Sequence, residues 1–288
     1  MIISASYRTD IPAFYGEWFM HRLKLGQCNV VNPWNSKPYN VSLQSADVDG
    51  FVFWTRNLAP FAKHLGRISK HAPFCVQYTI TGYPRTLDRS VIQPDQAIAD
   101  IADLARHFGP KVAVWRYDPI VITSITPESW HVENFRSLAR PLEGLVDEVT
   151  ISLLQPYRKT RRNLNRVAME EGFSWQSKSP ESLSETTALL ADIAAEHGIS
   201  LTVCSQNGLI TGTARAAACI DATRLSDIAG HTIIAKVKGN RPDCLCYAAR
   251  DIGAYDTCPH GCVYCYAVSD PQLAKRNFKA GRSDEDKH

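Results

Sequence analysis

No stretch of this sequence is both long and apolar enough to cross a membrane, which takes about 20 predominantly apolar residues. Residues 1–20 include Arg8, Asp10 and Glu17 and lack a continuous apolar run, so nothing there reads as an export signal. A cytoplasmic location is therefore expected. Charge of one sign is scarce too: a net charge of +3 is compatible with an anionic ligand but falls short of the basic balance of nucleic-acid-binding domains. Nine cysteines, an odd count in a chain expected in a reducing compartment, do not read as a disulfide framework. Cysteine is also nearly absent from the first 203 residues, where only Cys28 and Cys75 occur, and these read as small buried hydrophobes.

The other seven cysteines fall in the last 85 residues, and three of them form the densest motif of the chain, Cys258-x3-Cys262-x2-Cys265. Three thiols so close together suit a metal, yet they are one ligand short of a closed zinc site or an ordinary cubane cluster. A [4Fe-4S] cluster held by three cysteines keeps one iron open to a small molecule. Other readings stay open: His260 could complete a zinc site, Cys262 and Cys265 could be a redox dithiol, or all three could be buried thiols. Tyr264, directly before the third cysteine, favours the open cluster because its ring could pack on an adenine. Cys204, Cys219, Cys244 and Cys246 make a second, complete set of four ligands, suited to another [4Fe-4S] cluster or to zinc.

The rest of the chain alternates strand and helix signals. Apolar strands are expected at 2–6, 51–56, 74–80, 112–119, 149–154 and 199–204, with helices at 11–25, 94–108, from 126, 183–197 and 270–279. Alternation of this kind predicts an α/β fold with a parallel sheet whose ligands gather at the C-terminal strand ends. Residues 26–50 are expected to be a long loop, in which Trp34 and Tyr39 could cover a site. Arg8 and Asp10 follow the first strand, and Arg116 and Asp118 end the fourth, pointing the same way. These four are the candidate ligand groups, although Asp10 also suits a helix N-cap and Arg116 with Asp118 also suits a local ion pair. The basic run from Arg158 to Arg166 allows a nucleic-acid reading, but its interleaved Leu164 and Val167 fit an ordinary solvated helix better. Three regions are expected: a barrel core at 1–204, a cysteine-rich segment at 205–280 that closes it, and a disordered tail at 281–288.

The segments Ser4-Ala5-Ser6-Tyr7-Arg8-Thr9-Asp10, Phe53-Trp54-Thr55, Trp115-Arg116-Tyr117-Asp118-Pro119 and Asp251 to Cys262 resemble the bacterial domain-of-unknown-function family 1848. That family carries a C-terminal cysteine cluster similar to the one radical S-adenosylmethionine (SAM) enzymes carry near their N-termini. The resemblance implies a radical-SAM-like partial or circularly permuted (β/α) barrel, since the cluster loop here follows the last strand rather than the first. It further implies a [4Fe-4S] cluster, or two, SAM on the open iron, and an external electron donor such as flavodoxin or ferredoxin. On this reading Cys258, Cys262 and Cys265 hold the cluster, Tyr264 contacts the adenine, and Arg116 or Arg8 pairs with the SAM carboxylate. Arg8, Asp10 and Asp118 are then the groups expected near an unidentified substrate. The alternative is a non-catalytic zinc or iron-sulfur protein, structural or electron-transferring.

Overall fold

The computed structural model describes residues 1–285. Ten strands and nine α-helices are present among them, and eight of the strands form one wholly parallel sheet. In chain order these eight are β1 (Ile2–Ala5), β4 (Gly50–Thr55), β5 (Phe74–Thr79), β6 (Ala113–Ile120), β7 (Glu148–Leu153), β8 (Ser200–Val203), β9 (Arg215–Ala216) and β10 (Ala249–Asp251). Across the sheet they follow one another as they do in sequence, except that β10 returns to pair with β1. The cysteine-rich half of the chain thus supplies two strands of the same sheet, and β10 and β9 are its edges.

The helices between strands are α2 (Gly16–Leu25), α3 (Ala62–Ile68), α4 (Pro94–Phe108), α5 (Glu128–Leu142) and α7 (Ser184–Glu196). All five bury their apolar stripes in one core, against alternate strand residues such as Phe51, Phe53, Val76, Trp115, Ile151 and Leu201. Sequential strand order with these five crossover helices on one face is the arrangement of a singly wound sheet. A doubly wound sheet reverses its strand order and covers both faces with helices. The opposite face carries the intervening residues. Ile2, Val52 and Cys75 are covered there by the segment containing Ala217, Cys219, Ile220 and Cys246, together with Leu225 of α8 (Ala222–Ala229).

Residues 26–50 form no loop. They contain a hairpin of β2 (Gln27–Val31) and β3 (Pro38–Ser42), whose alternation turns Cys28, Val30 and Val41 into the core. The Asn and Pro residues that suggest a loop supply only its turn. The chain leaving it joins the N-terminal end of the sheet, where Asp49 N–H donates to the Met1 carbonyl, and Trp34 in its turn is 91% exposed. The helix expected at 11–25 is broken at Tyr15 into α1 (Ile11–Phe14) and α2, because Tyr15 leaves helical geometry and its hydroxyl bonds the Thr257 carbonyl. The expected tail is helical as far as it is described: Gly281 lies within α9 (Pro271–Glu285), and residues 286–288 lie outside the described residues.

One buried histidine makes the fold sensitive to acid. His131 of α5 is fully buried, its Nδ1 accepts from the Tyr117 hydroxyl at 2.9 Å, and its Nε2 faces the Val121 carbonyl at 3.2 Å. Burial pushes its pKa down to about 4 from the ordinary 6.5, so between these values the unfolded chain binds a proton that the folded chain refuses. The stability it supports is therefore complete above pH about 6.5 and falls by about 3 kcal/mol as the pH drops to about 4. Urea midpoints of the wild type and His131→Asn should converge over this range. Parallel curves would remove His131 from the acid response.

Candidate metal centre

The site grows from the junction of β10 and β1. Asp251 ends β10, and burial raises its carboxyl pKa. It accepts from the hydroxyls of Ser4 (2.9 Å) and Ser6 (2.7 Å) and from the backbone N–H of Tyr7 and Gly253. Gly253 is required: a Cβ there would stand 2.2 Å from Ser6 Oγ. From this clamp the chain climbs from the C-terminal strand ends into the loop that carries Cys258, Cys262 and Cys265.

All three thiols are half-buried, and burial raises the pKa of each. They lie within electrostatic range of one another, and each sulfur faces N–H donors. Cys258 faces the backbone N–H groups of His260 and Asp10. Cys262 Sγ accepts from Arg56 Nη1 at 3.1 Å, and Cys265 Sγ from the Ala267 N–H at 3.3 Å. Among the described residues no three His, Cys, Asp or Glu side chains are arranged as ligands of a single ion.

Arg56 is the centre of the loop's support. It follows β4, and its guanidinium forks onto Asp88 (3.1 and 2.7 Å), donates to the Tyr264 hydroxyl at 2.6 Å and reaches Thr81 Oγ1. Burial opposes its charge, but Asp88, Tyr264 and Cys262 together hold the arginine pKa above its ordinary value. The Tyr264 hydroxyl donates to Asp88 at 2.7 Å, and its ring packs edge-on to Tyr83. Backbone contacts complete the attachment, with Val263 N–H donating to the Leu87 carbonyl and Asp88 bridging Cys262.

Asp10 supports the other side. Its carboxylate caps α1 through Ala13 N–H (2.9 Å), accepts from the Thr55 hydroxyl (2.7 Å) and Arg56 N–H (2.8 Å), and meets His260 Nε2 at 2.7 Å. His260 Nδ1 is buried and has no hydrogen-bond partner.

A polar network then crosses the face opposite the crossover helices, from Asp251 through Ser4 to Trp54 Nε1 (3.2 Å). Arg116 lies over the Trp54 ring at 4.9 Å and forks onto Asp118 at 2.9 and 2.5 Å, and Asp118 accepts from Ser152 at 3.3 Å.

A family model described as "Domain of unknown function (DUF1848)" matches residues 2–267, a span that contains this whole arrangement. The chain belongs to this family. Among curated proteins, none matches it.

In this DUF1848 chain, the residues expected at the site separate into two groups. Arg8, Asp10 and Tyr264 surround the cysteine loop. Arg8 lies over Tyr7 and Tyr255, and its Nε pairs with Asp251 at 3.7 Å but makes no hydrogen bond. Arg116 and Asp118 are mutually paired and lie towards the second cysteine set, Arg116 within electrostatic range of Cys204 and Cys219. Cys28 and Cys75 are buried, with burial raising their pKa values to about 11 and about 12. The basic run lies on α6 (Arg158–Glu171), where Lys159 sits over the Tyr255 ring at 4.8 Å and Arg162 reaches the Ser269 carbonyl. Arg56, Asp88 and Asp251 were not singled out in the sequence. The polar end of the strand Phe51–Arg56 was a signal for the first, whereas Asp88 lies in a turn segment with none.

A cleft of about 980 Å³ also lies between α2 and residues 252–257. It opens beside the stem of the loop, through Ala254 and Thr257, rather than over the polar network.

Proposed function

We propose that this protein is a radical SAM enzyme on a permuted, incomplete (β/α) barrel, with its cluster held by Cys258, Cys262 and Cys265. One observation carries the reading: three thiols from one strand-end loop each face N–H donors. Hydrogen bonds to the sulfurs are a recognised means of setting cluster potential. When bound and reduced, the cluster would supply the electron that splits the SAM sulfonium. The singly wound sheet, with β10 returning beside β1, supports the permutation, because the strand before the cysteine loop then takes the first place in the barrel.

The chain's own groups divide the remaining work. Arg56 supports Cys262 and keeps a positive charge beside the loop. Arg8, whose Nε pairs with Asp251 at 3.7 Å without a hydrogen bond, and Lys159, within electrostatic range of Cys265, are the cations that would meet the SAM carboxylate. Arg116 is less suited, since Asp118 and Gln77 already occupy its fork.

A second reading draws on His260. Its unpartnered Nδ1, backed by Asp10 on Nε2, is the carboxylate-histidine pairing that zinc ligands use, and it would make a closed Cys3His site. Electron paramagnetic resonance of anaerobically purified, reduced protein separates the two, with iron, sulfide and zinc analysis alongside. A signal whose g-values shift on adding SAM is expected. A cluster indifferent to SAM, or zinc in place of iron in the loop, would overturn the enzyme reading.

A further inference from the structure

Four more cysteines come together at the other end of the polar network. Cys204 directly follows β8, Cys219 lies between β9 and α8, and Cys244 and Cys246 precede β10. Cys219 Sγ lies 3.4 Å from Cys204 Sγ, and Cys246 interacts with both Cys219 and Cys244. We propose that Cys204, Cys219, Cys244 and Cys246 form a closed, structural four-thiolate site for a single zinc ion, separate from the cysteine loop.

Three observations carry it. The first is spacing. Thiolates about 2.3 Å from a tetrahedral zinc stand about 3.8 Å from one another, close to the 3.4 Å seen here, whereas a cubane spreads its ligands over four irons. The thiols now run as a chain, 204–219–246–244, in which each S–H can use the next sulfur, and no three are yet gathered around one point. Loss of those protons leaves adjacent negative sulfurs that repel unless a cation stands among them.

The second is charge. Four thiolates on a divalent ion leave a net negative site, and Arg241 Nη2 lies 3.2 Å from Cys204 Sγ, with no carboxylate in ion-pair distance among the described residues. The Ile220 backbone N–H also points at Cys246 Sγ, at 3.4 Å.

The third is how little apolar burial anchors the segment. Residues 234–245 contain no buried residue, and the hairpin they form closes through Lys238 N–H to the Cys246 carbonyl and Ala248 N–H to the Lys236 carbonyl. Gly239 approaches the Cys244 backbone so closely that a Cβ there would stand 2.3 Å from its carbonyl oxygen. A segment with no fully buried residue, in which only Ala235 and Cys244 pack against the core, is held in one tight geometry around two thiols, as in domains whose order comes from metal binding.

The test uses the full chain with Cys258, Cys262 and Cys265 all replaced by alanine, so that the outcome is independent of the cluster reading. Zinc and iron are counted, and the zinc absorption edge reports the ligand sphere. About one zinc per chain with four sulfur neighbours near 2.3 Å is expected. Adding Cys244→Ser, the most accessible of the four, should lower zinc at least tenfold and open residues 234–245 to protease. The absorption measurement needs no further variant, so a folding failure of Cys244→Ser leaves the proposal testable. Absence of zinc, iron and sulfide in its place, or nitrogen or oxygen neighbours at the edge, would overturn it.

Discussion

Replacing Cys262 with alanine is expected to strip the iron from the loop, from about four irons and four sulfides per chain to less than a tenth of that, and to reduce SAM cleavage to background. Two ligands leave half of a cubane unsupported. The fold should survive, because Arg56 donates to Cys262 at 3.1 Å but keeps Asp88, Thr81 and the Tyr264 hydroxyl when the sulfur is gone. The lost residue is also small and half-buried, so little apolar burial goes with it. Cys28→Ala is the matched control: its thiol is buried in the main core and has no second cysteine beside it in that core, so iron should be unchanged. Iron and sulfide assays after anaerobic reconstitution decide the matter, read beside far-UV circular dichroism. Full iron retention in Cys262→Ala would place the cluster elsewhere or nowhere.

The parts of this architecture that were legible are those set by local chemistry. Helix α4 runs over the expected residues, 94–108, because Pro94 opens it, Ala97, Ile101 and Leu104 give one buried stripe, and Gly109 stops it. The apolar strand runs were equally plain, since strands buried on both faces read as continuous hydrophobic segments. What stayed hidden depends on pairings distant in sequence. Nothing near Asp88 announces that it meets an arginine 32 residues earlier and a tyrosine 176 residues later. Asp10 shows the opposite limit. Its capping role was readable from the residues beside it, but its hold on His260, 250 positions away, was not. The hairpin at 27–42 was missed because its alternation of buried and exposed residues is interrupted by the same Asn and Pro residues that build its turn. Arg116 and Asp118 illustrate a third case: their spacing left open a local ion pair or a clamp for a ligand, and the mutual pair is formed.

Asp88→Ala should be the most destabilising single change around the loop, at about 3–5 kcal/mol, the usual cost of leaving one partner of a buried ion pair uncompensated. The Arg56 and Asp88 side chains are only 10% and 5% exposed, so water cannot take over the role of the carboxylate. The guanidinium would lose both oxygens of its fork, and the Tyr264 hydroxyl would lose its acceptor. In a chain of this size the loss corresponds to a fall in Tm on the order of 10 °C. Replacing both partners, as Arg56→Met with Asp88→Leu, should recover much of that stability, because the desolvated charge then disappears with its counterion. The double variant should nevertheless bind iron less well than the wild type. Its loop keeps Val263 N–H on the Leu87 carbonyl, but Cys262 no longer has the Arg56 donor on its sulfur. Stability and cluster retention would then separate: thermal unfolding would report the pair, and iron content would report the loop's lost polar contacts to Cys262 and the Tyr264 hydroxyl. If Asp88→Ala unfolds within about 1 kcal/mol of the wild type, the Arg56 charge is compensated by something other than Asp88, and the account of the loop's support fails with it.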